Sequence, residues 1–73
     1  MDRKVYHVVP SGARWQVKHE GEVLSYHATK DMAVEAGRKV AKANAPSQLV
    51  VHKLDGTFDY EYTYELDPYP PRG

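Results

Sequence analysis

Apolar and polar side chains follow two rhythms along this chain: a two-residue alternation near both ends, and a three- to four-residue spacing between them. Arg14 to His19 shows the first most plainly. Trp15, Val17 and His19 fall on one side and Arg14, Gln16 and Lys18 on the other, as in a strand with one covered face and one wet face. Before it, Lys4 to Pro10 is β-branched and aromatic, with Val5 and Val9 on one side and Tyr6 and Val8 on the other, and Pro10-Ser11-Gly12 ends it with turn chemistry. After it, Glu20-Gly21 supplies a turn into a third strand, Val23 to Ala28, in which Leu24, Tyr26 and Ala28 alternate with Val23, Ser25 and His27. The three read as a meander.

The rhythm then changes. Thr29 stands where a helix N-cap belongs, Asp31 lies in the first turn where the helix dipole favours an acid, and an Ala-rich segment runs to Asn44. Ala33, Ala36, Gly37, Val40 and Ala41 form a narrow stripe of small side chains, which lets a helix axis approach a sheet closely. Asp31, Glu35, Arg38, Lys39 and Lys42 take the other side, with Glu35 and Lys39 spaced for an i,i+4 ion pair. Pro46 stops the helix. Leu49-Val50-Val51, three apolar residues in a row, predicts an interior strand covered on both faces, and Asp55-Gly56 predicts a two-residue hairpin. Thr57 to Leu66 alternates again, Phe58, Tyr60, Tyr62 and Tyr64 against Asp59, Glu61, Thr63 and Glu65.

These elements predict an α+β fold: an antiparallel sheet in β-β-β-α-β-β order with one helix packed on one face. Residues 1–66 form the single domain, and 67–73, with three Pro and a Gly, a flexible Pro-rich tail. A chain of 73 residues buries about 60% of its unfolded surface and supports one core only. The absence of Cys excludes disulfides and thiolate metal sites and suits a reducing cytoplasm, and the sequence leads us to expect neither export by a signal peptide nor insertion in a membrane. Formal charge is zero, but residues 1–53 hold nine basic and five acidic side chains, whereas 54–73 hold one and five. A polyanion would have to meet the first part and avoid the second.

The order of landmarks His7-Val8-Val9-Pro10, Trp15 with Val17, Glu20-Gly21, Thr29-Lys30, and Val50 to Gly56 resembles domain-of-unknown-function family 2188, short bacterial and phage proteins, from Tyr6 to Tyr64. The resemblance implies the same element order and carries no activity to transfer. Met32 departs from it, standing where an acidic residue would complete a capping box, so the helix start is less well anchored.

Candidate chemistry is sparse. His7, His19, His27 and His52 all sit on predicted strands, without the close spacing of a ligand pair, so neither metal nor cofactor is expected. The carboxylates fall in turns, on the helix exterior and along the last strand, and the serines and glycines lack nucleophile-elbow or phosphate-cradle contexts. No catalytic residue is assigned, and the expectation is a non-enzymatic binding module. Its lone helix, about 20 Å long for about 14 residues, covers one sheet face, leaving the other for a protein partner or a second copy, with Trp15, Tyr60 and Tyr62 as contact residues. The alternative is nucleic-acid binding by Arg14, Gln16 and Lys18 on the sheet with Arg38, Lys39 and Lys42 on the helix. Against it, Asp59, Glu61 and Glu65 would repel phosphate, or pair across strands with Arg14 and Lys18. No membrane is expected as partner.

Overall fold

A computed structural model describes residues 3–65; the Pro-rich tail assigned to 67–73 lies outside the described residues. The elements are β1 (Lys4–Ser11), β2 (Arg14–His19), β3 (Glu22–His27), α1 (Lys30–Ala43), β4 (Ser47–His52) and β5 (Phe58–Tyr64), in the order the sequence predicts. Thr29 caps α1, its hydroxyl accepting the Met32 N–H at 3.2 Å; with Met at 32 the cap has no reciprocal carboxylate. Asn44 closes the helix, its backbone N–H donating to Ala41 O.

The sheet is mixed, which corrects the antiparallel expectation. Its spatial order is β3-β2-β1-β4-β5, not the order of the chain, and β1 and β4 run parallel at its middle while the other three pairs are antiparallel. The cause is the helix: β3 ends at one edge, α1 runs back across the layer, and the chain re-enters with β4 against the free side of β1, in the same direction.

That crossover sets the core. Tyr6, Val8, Val17, Leu49 and Val51 point from the three middle strands toward Ala33, Val34, Gly37 and Ala41 on α1, and all are buried. Contact is closest at Gly37, where an added Cβ would stand 2.8 Å and 3.2 Å from the two methyls of Leu49 and 3.3 Å from a Val8 methyl. Ser47, fully buried, donates its hydroxyl to Ala41 O and ties the start of β4 to the end of the helix. Val50 is only half-buried, so β4 is covered on one face and not on two, because the described residues provide no second layer. No helix among them is long and apolar enough to cross a membrane.

The two hairpin signals part ways. Glu20 and Gly21 both have positive φ, 52° and 81°, the two-residue turn expected between β2 and β3. Asp55-Gly56 instead belongs to a three-residue loop, Leu54 to Gly56, closed by Lys53 N–H to Thr57 O at 2.7 Å and Gly56 N–H to Lys53 O at 2.8 Å. There only Gly56 turns left-handed, with φ 91°. The Asp55 carboxylate accepts both the Thr57 hydroxyl (2.6 Å) and the Thr57 N–H (3.0 Å), local bonds that favour this turn and hold its carboxyl below the usual carboxylate range.

Substituting Gly37→Val should lower the unfolding free energy by about 2–3 kcal/mol, since the branched side chain must displace Leu49 and Val8 in a filled core. Gly37→Ala should cost less, because a gain of about 1 kcal/mol in helix propensity offsets part of the clash. Urea denaturation followed by far-UV circular dichroism checks both, and an unchanged midpoint for the valine variant would contradict the close approach.

Candidate functional site on the uncovered sheet face

The face opposite α1 is built in rows. Direct pairings align Lys18 on β2, His7 on β1, Val50 on β4 and Glu61 on β5, so one row runs from an ammonium to a carboxylate across four strands. On one side of it lie Val5, Gln48 and Thr63; on the other, Tyr26, Gln16 and Val9 on β3, β2 and β1, with His52 and Phe58 paired on β4 and β5. Val5, Val9 and Val50 are half-buried at the centre, with α1 on the opposite face, and Phe58 is 56% exposed. The cationic side is β2 and the anionic side β5.

Two histidines meet at the middle. His52 Nδ1 lies 3.1 Å from Gly56 O, and a carbonyl only accepts, so that nitrogen carries the proton. Its Nε2 is therefore the acceptor for His7 Nδ1–H, 3.1 Å away, and the rings stand 5.3 Å apart. Burial, then His52, Lys18 and His19 in that order, push the His7 imidazole below its ordinary value, because each disfavours the cation. His19 and His27 lie on the helix side, His19 at 3.0 Å from Val5 O and stacked on Tyr6, His27 at 2.8 Å from the Ser25 hydroxyl. Local patterns give no sign of the His7–His52 contact, since it needs the parallel pairing of β1 with β4.

The residues proposed for nucleic acid divide between two sides of the molecule. Arg14, Gln16 and Lys18 stand on the open face, with the Arg14 guanidinium 5.8 Å from the centre of the Tyr26 ring. Arg38, Lys39 and Lys42 line an open groove of about 190 Å³ on the helix side with Glu35 and Tyr64. Arg38 is already engaged, 4.6 Å over the Tyr62 ring and donating to the Tyr64 hydroxyl at 3.0 Å. Trp15, Tyr60 and Tyr62 also lie on the helix side. Lys30 Nζ sits 5.7 Å from the Trp15 ring centre and 5.6 Å from that of Tyr60, and pairs with Asp59.

The acids of β5, and Glu65 just after it, do not pair with Arg14 or Lys18. Two strands, β1 and β4, stand between them; Glu65 pairs with Arg3 at 2.7 Å, Asp59 with Lys30, and Glu61 accepts from the Gln48 amide. Asp59 reaches the helix side because a bulge at Val51/His52 turns it out of the alternation. Glu35 and Lys39 form no ion pair among the described residues.

The family model described as "Uncharacterized protein conserved in bacteria (DUF2188)" matches residues 6–64. No curated protein and no solved structure matches the chain.

His7 gives the fold a pH dependence of definite sign. As pH falls through the ordinary imidazole value of 6.5, the unfolded chain takes up a proton that the native His7 resists, so stability declines until the native imidazole also charges. His7→Gln should flatten this part of the stability curve between pH 7.5 and mildly acid conditions, measured by thermal unfolding across that range. An identical slope in the variant would remove His7 as its source.

Proposed function

We propose that this chain, which belongs to the DUF2188 family, is a non-enzymatic binding module whose contact surface is the uncovered sheet face and whose partner is a protein. One observation carries the reading: Val5, Val9 and Val50 are half-buried around the His7–His52 pair on a sheet face that no other layer of the described residues covers, ringed by Arg14, Gln16, Lys18, Gln48 and Glu61. A centre of valines and uncharged imidazole rings inside a rim of charged and amide side chains resembles the anatomy of a protein contact, less polar at its core than at its edge. The ring also holds both charge signs, which suits a protein with mixed charges better than a uniform polyanion. Trp15, Tyr60 and Tyr62, engaged with Lys30 and Arg38, act in this reading as the seam between the helix and its neighbours.

Nucleic-acid binding is the second reading, supported by Arg14, Gln16 and Lys18 at alternate positions of one strand, about 7 Å apart, on a face wide enough to meet a groove. Glu61, in the same row as Lys18, and the location of Arg38, Lys39 and Lys42 on the other side of the molecule weigh against it.

A photo-crosslinking residue placed at Gln16 should yield protein adducts in cells, and the same residue at Lys39 should not. Adducts from Lys39 alone, or from neither position, overturn the protein reading. In a mobility-shift titration, a short duplex should not be retarded at low salt; retardation that fades steeply with added salt and is lost with Lys18→Glu would establish the second reading instead.

A further inference from the structure

We infer that the occupant of the uncovered face is a second copy of this chain, packed sheet to sheet about a two-fold axis that runs parallel to the strands between β1 and β4. This rests on the binding reading above and adds the identity and orientation of the partner.

The argument comes from the central row. Lys18, His7, Val50 and Glu61 occupy four adjacent strands, with centres about 4.8 Å apart, so the outer two lie roughly 7 Å on either side of a line midway between His7 and Val50. A half-turn about that line exchanges the two sides. It brings Lys18 over the partner's Glu61 and, by symmetry, Glu61 over the partner's Lys18. The same rotation lays β1 over the partner's β4, so that His7 meets the partner's Val50 and Val5 meets the partner's Gln48. It also brings Gln16 over the partner's Phe58, covering a ring that is 56% exposed in the single chain.

Other two-fold arrangements lack this match. An axis perpendicular to the strands stacks β2 on the partner's β2, setting Lys18 and Arg14 against the same cations. The face is complementary to itself in one orientation because its charge changes sign across the line between β1 and β4, a condition that an isologous contact requires. Aligned sheets cross at about −30°, which keeps the central row near the axis in register and separates the corners.

The size is adequate. Four strands of about six residues present a flat footprint of ~400 Å², which side-chain relief raises to ~600–800 Å² per copy. Two copies then bury ~1,200–1,600 Å², the span of specific protein contacts. Tyr26, on the outer strand β3, lies beyond the overlapped strands.

Sedimentation velocity of the purified chain, from low micromolar to near millimolar concentration, tests the inference. A reversible monomer–dimer equilibrium is expected. Lys18→Glu and Glu61→Lys should each weaken it by about tenfold or more, since each sets like charges opposite each other twice, while the double variant should recover to within a few-fold of the original. Lys39→Glu, on the helix side, should leave it unchanged, and circular dichroism confirms that every variant is folded. A monomer at every concentration overturns the inference, as does a dimer indifferent to Lys18 and Glu61, or one that the double exchange fails to restore. If the purified chain is monomeric but Gln16 cross-links to a different protein in cells, the second copy is wrong and the binding reading stands; if Gln16 yields no adduct at all, both fall.

Discussion

The parallel pairing of β1 with β4 fixes nearly everything else in this molecule. It joins residues that are more than forty positions apart, Lys4 with Ser47 through to Val8 with Val51, and it puts the two most apolar strands side by side at the centre of the sheet. Only there do Tyr6, Val8, Leu49 and Val51 lie under one helix. The same pairing aligns His7 with Val50, brings His52 to His7, and sets two strands between the cations of β2 and the carboxylates of β5. Had β4 added to the edge of β3, β1 would be an edge strand and His7 would lie beside neither Val50 nor His52.

Among the described residues, one helix of 14 residues then has to hold five strands. It manages the three middle ones by close approach: Gly37 leaves room for Leu49 and Val8 to reach the helix backbone, which a larger residue would prevent. The outer strand β5 is secured differently. Lys30 between Trp15 and Tyr60, and Arg38 over Tyr62, hold its aromatic row from the start and the middle of the helix, supported by the pairing of Lys30 with Asp59. Cation–π contacts of this kind contribute about 0.5–1 kcal/mol each when exposed, against about 1.5–3 kcal/mol for each fully buried large apolar side chain. The centre therefore carries the stability and the seam chiefly sets the position of β5.

What could be read from the sequence was local. Alternation at Arg14 to His19, the Thr29 cap and the small-residue stripe each depend on neighbours within a few positions, and each corresponds to an element now seen. What escaped reading was pairing at a distance. Leu49-Val50-Val51 looks the same whether one or two layers cover it, and no local feature says that β4 joins β1 in parallel. Asp55-Gly56 misled for a chemical reason: the Asp55 carboxylate finds the Thr57 N–H and hydroxyl, which draws the loop into a different turn from the one the dipeptide favours. The candidate site was legible only in part. Arg14, Gln16 and Lys18 share a face as their spacing requires, but their separation from Arg38, Lys39 and Lys42, and the withdrawal of Trp15, Tyr60 and Tyr62 to the helix side, follow from tertiary placement alone.

The open face also has a ready alternative to a partner, since the aliphatic stems of Arg14, Lys18 and Gln48 can lie over the valines and leave them half-buried. Magnitudes show why that does not remove the drive to associate. Burying ~1,200–1,600 Å², a little over half of it apolar, is worth roughly 17–23 kcal/mol at about 25 cal/mol per Å², against about 4–15 kcal/mol for lost freedom of motion and further losses in ordering side chains and desolvating polar groups. What remains is a few kcal/mol, enough for association that depends on concentration and too little for an obligate dimer. In that regime a pair of exposed charges adds little affinity, but like charges brought together cost much more, so Lys18 and Glu61 act mainly by excluding wrong orientations. A face that is only moderately apolar thus acquires a definite geometry from the order of its strands, which alone decides that lysine and glutamate stand on opposite sides of the axis.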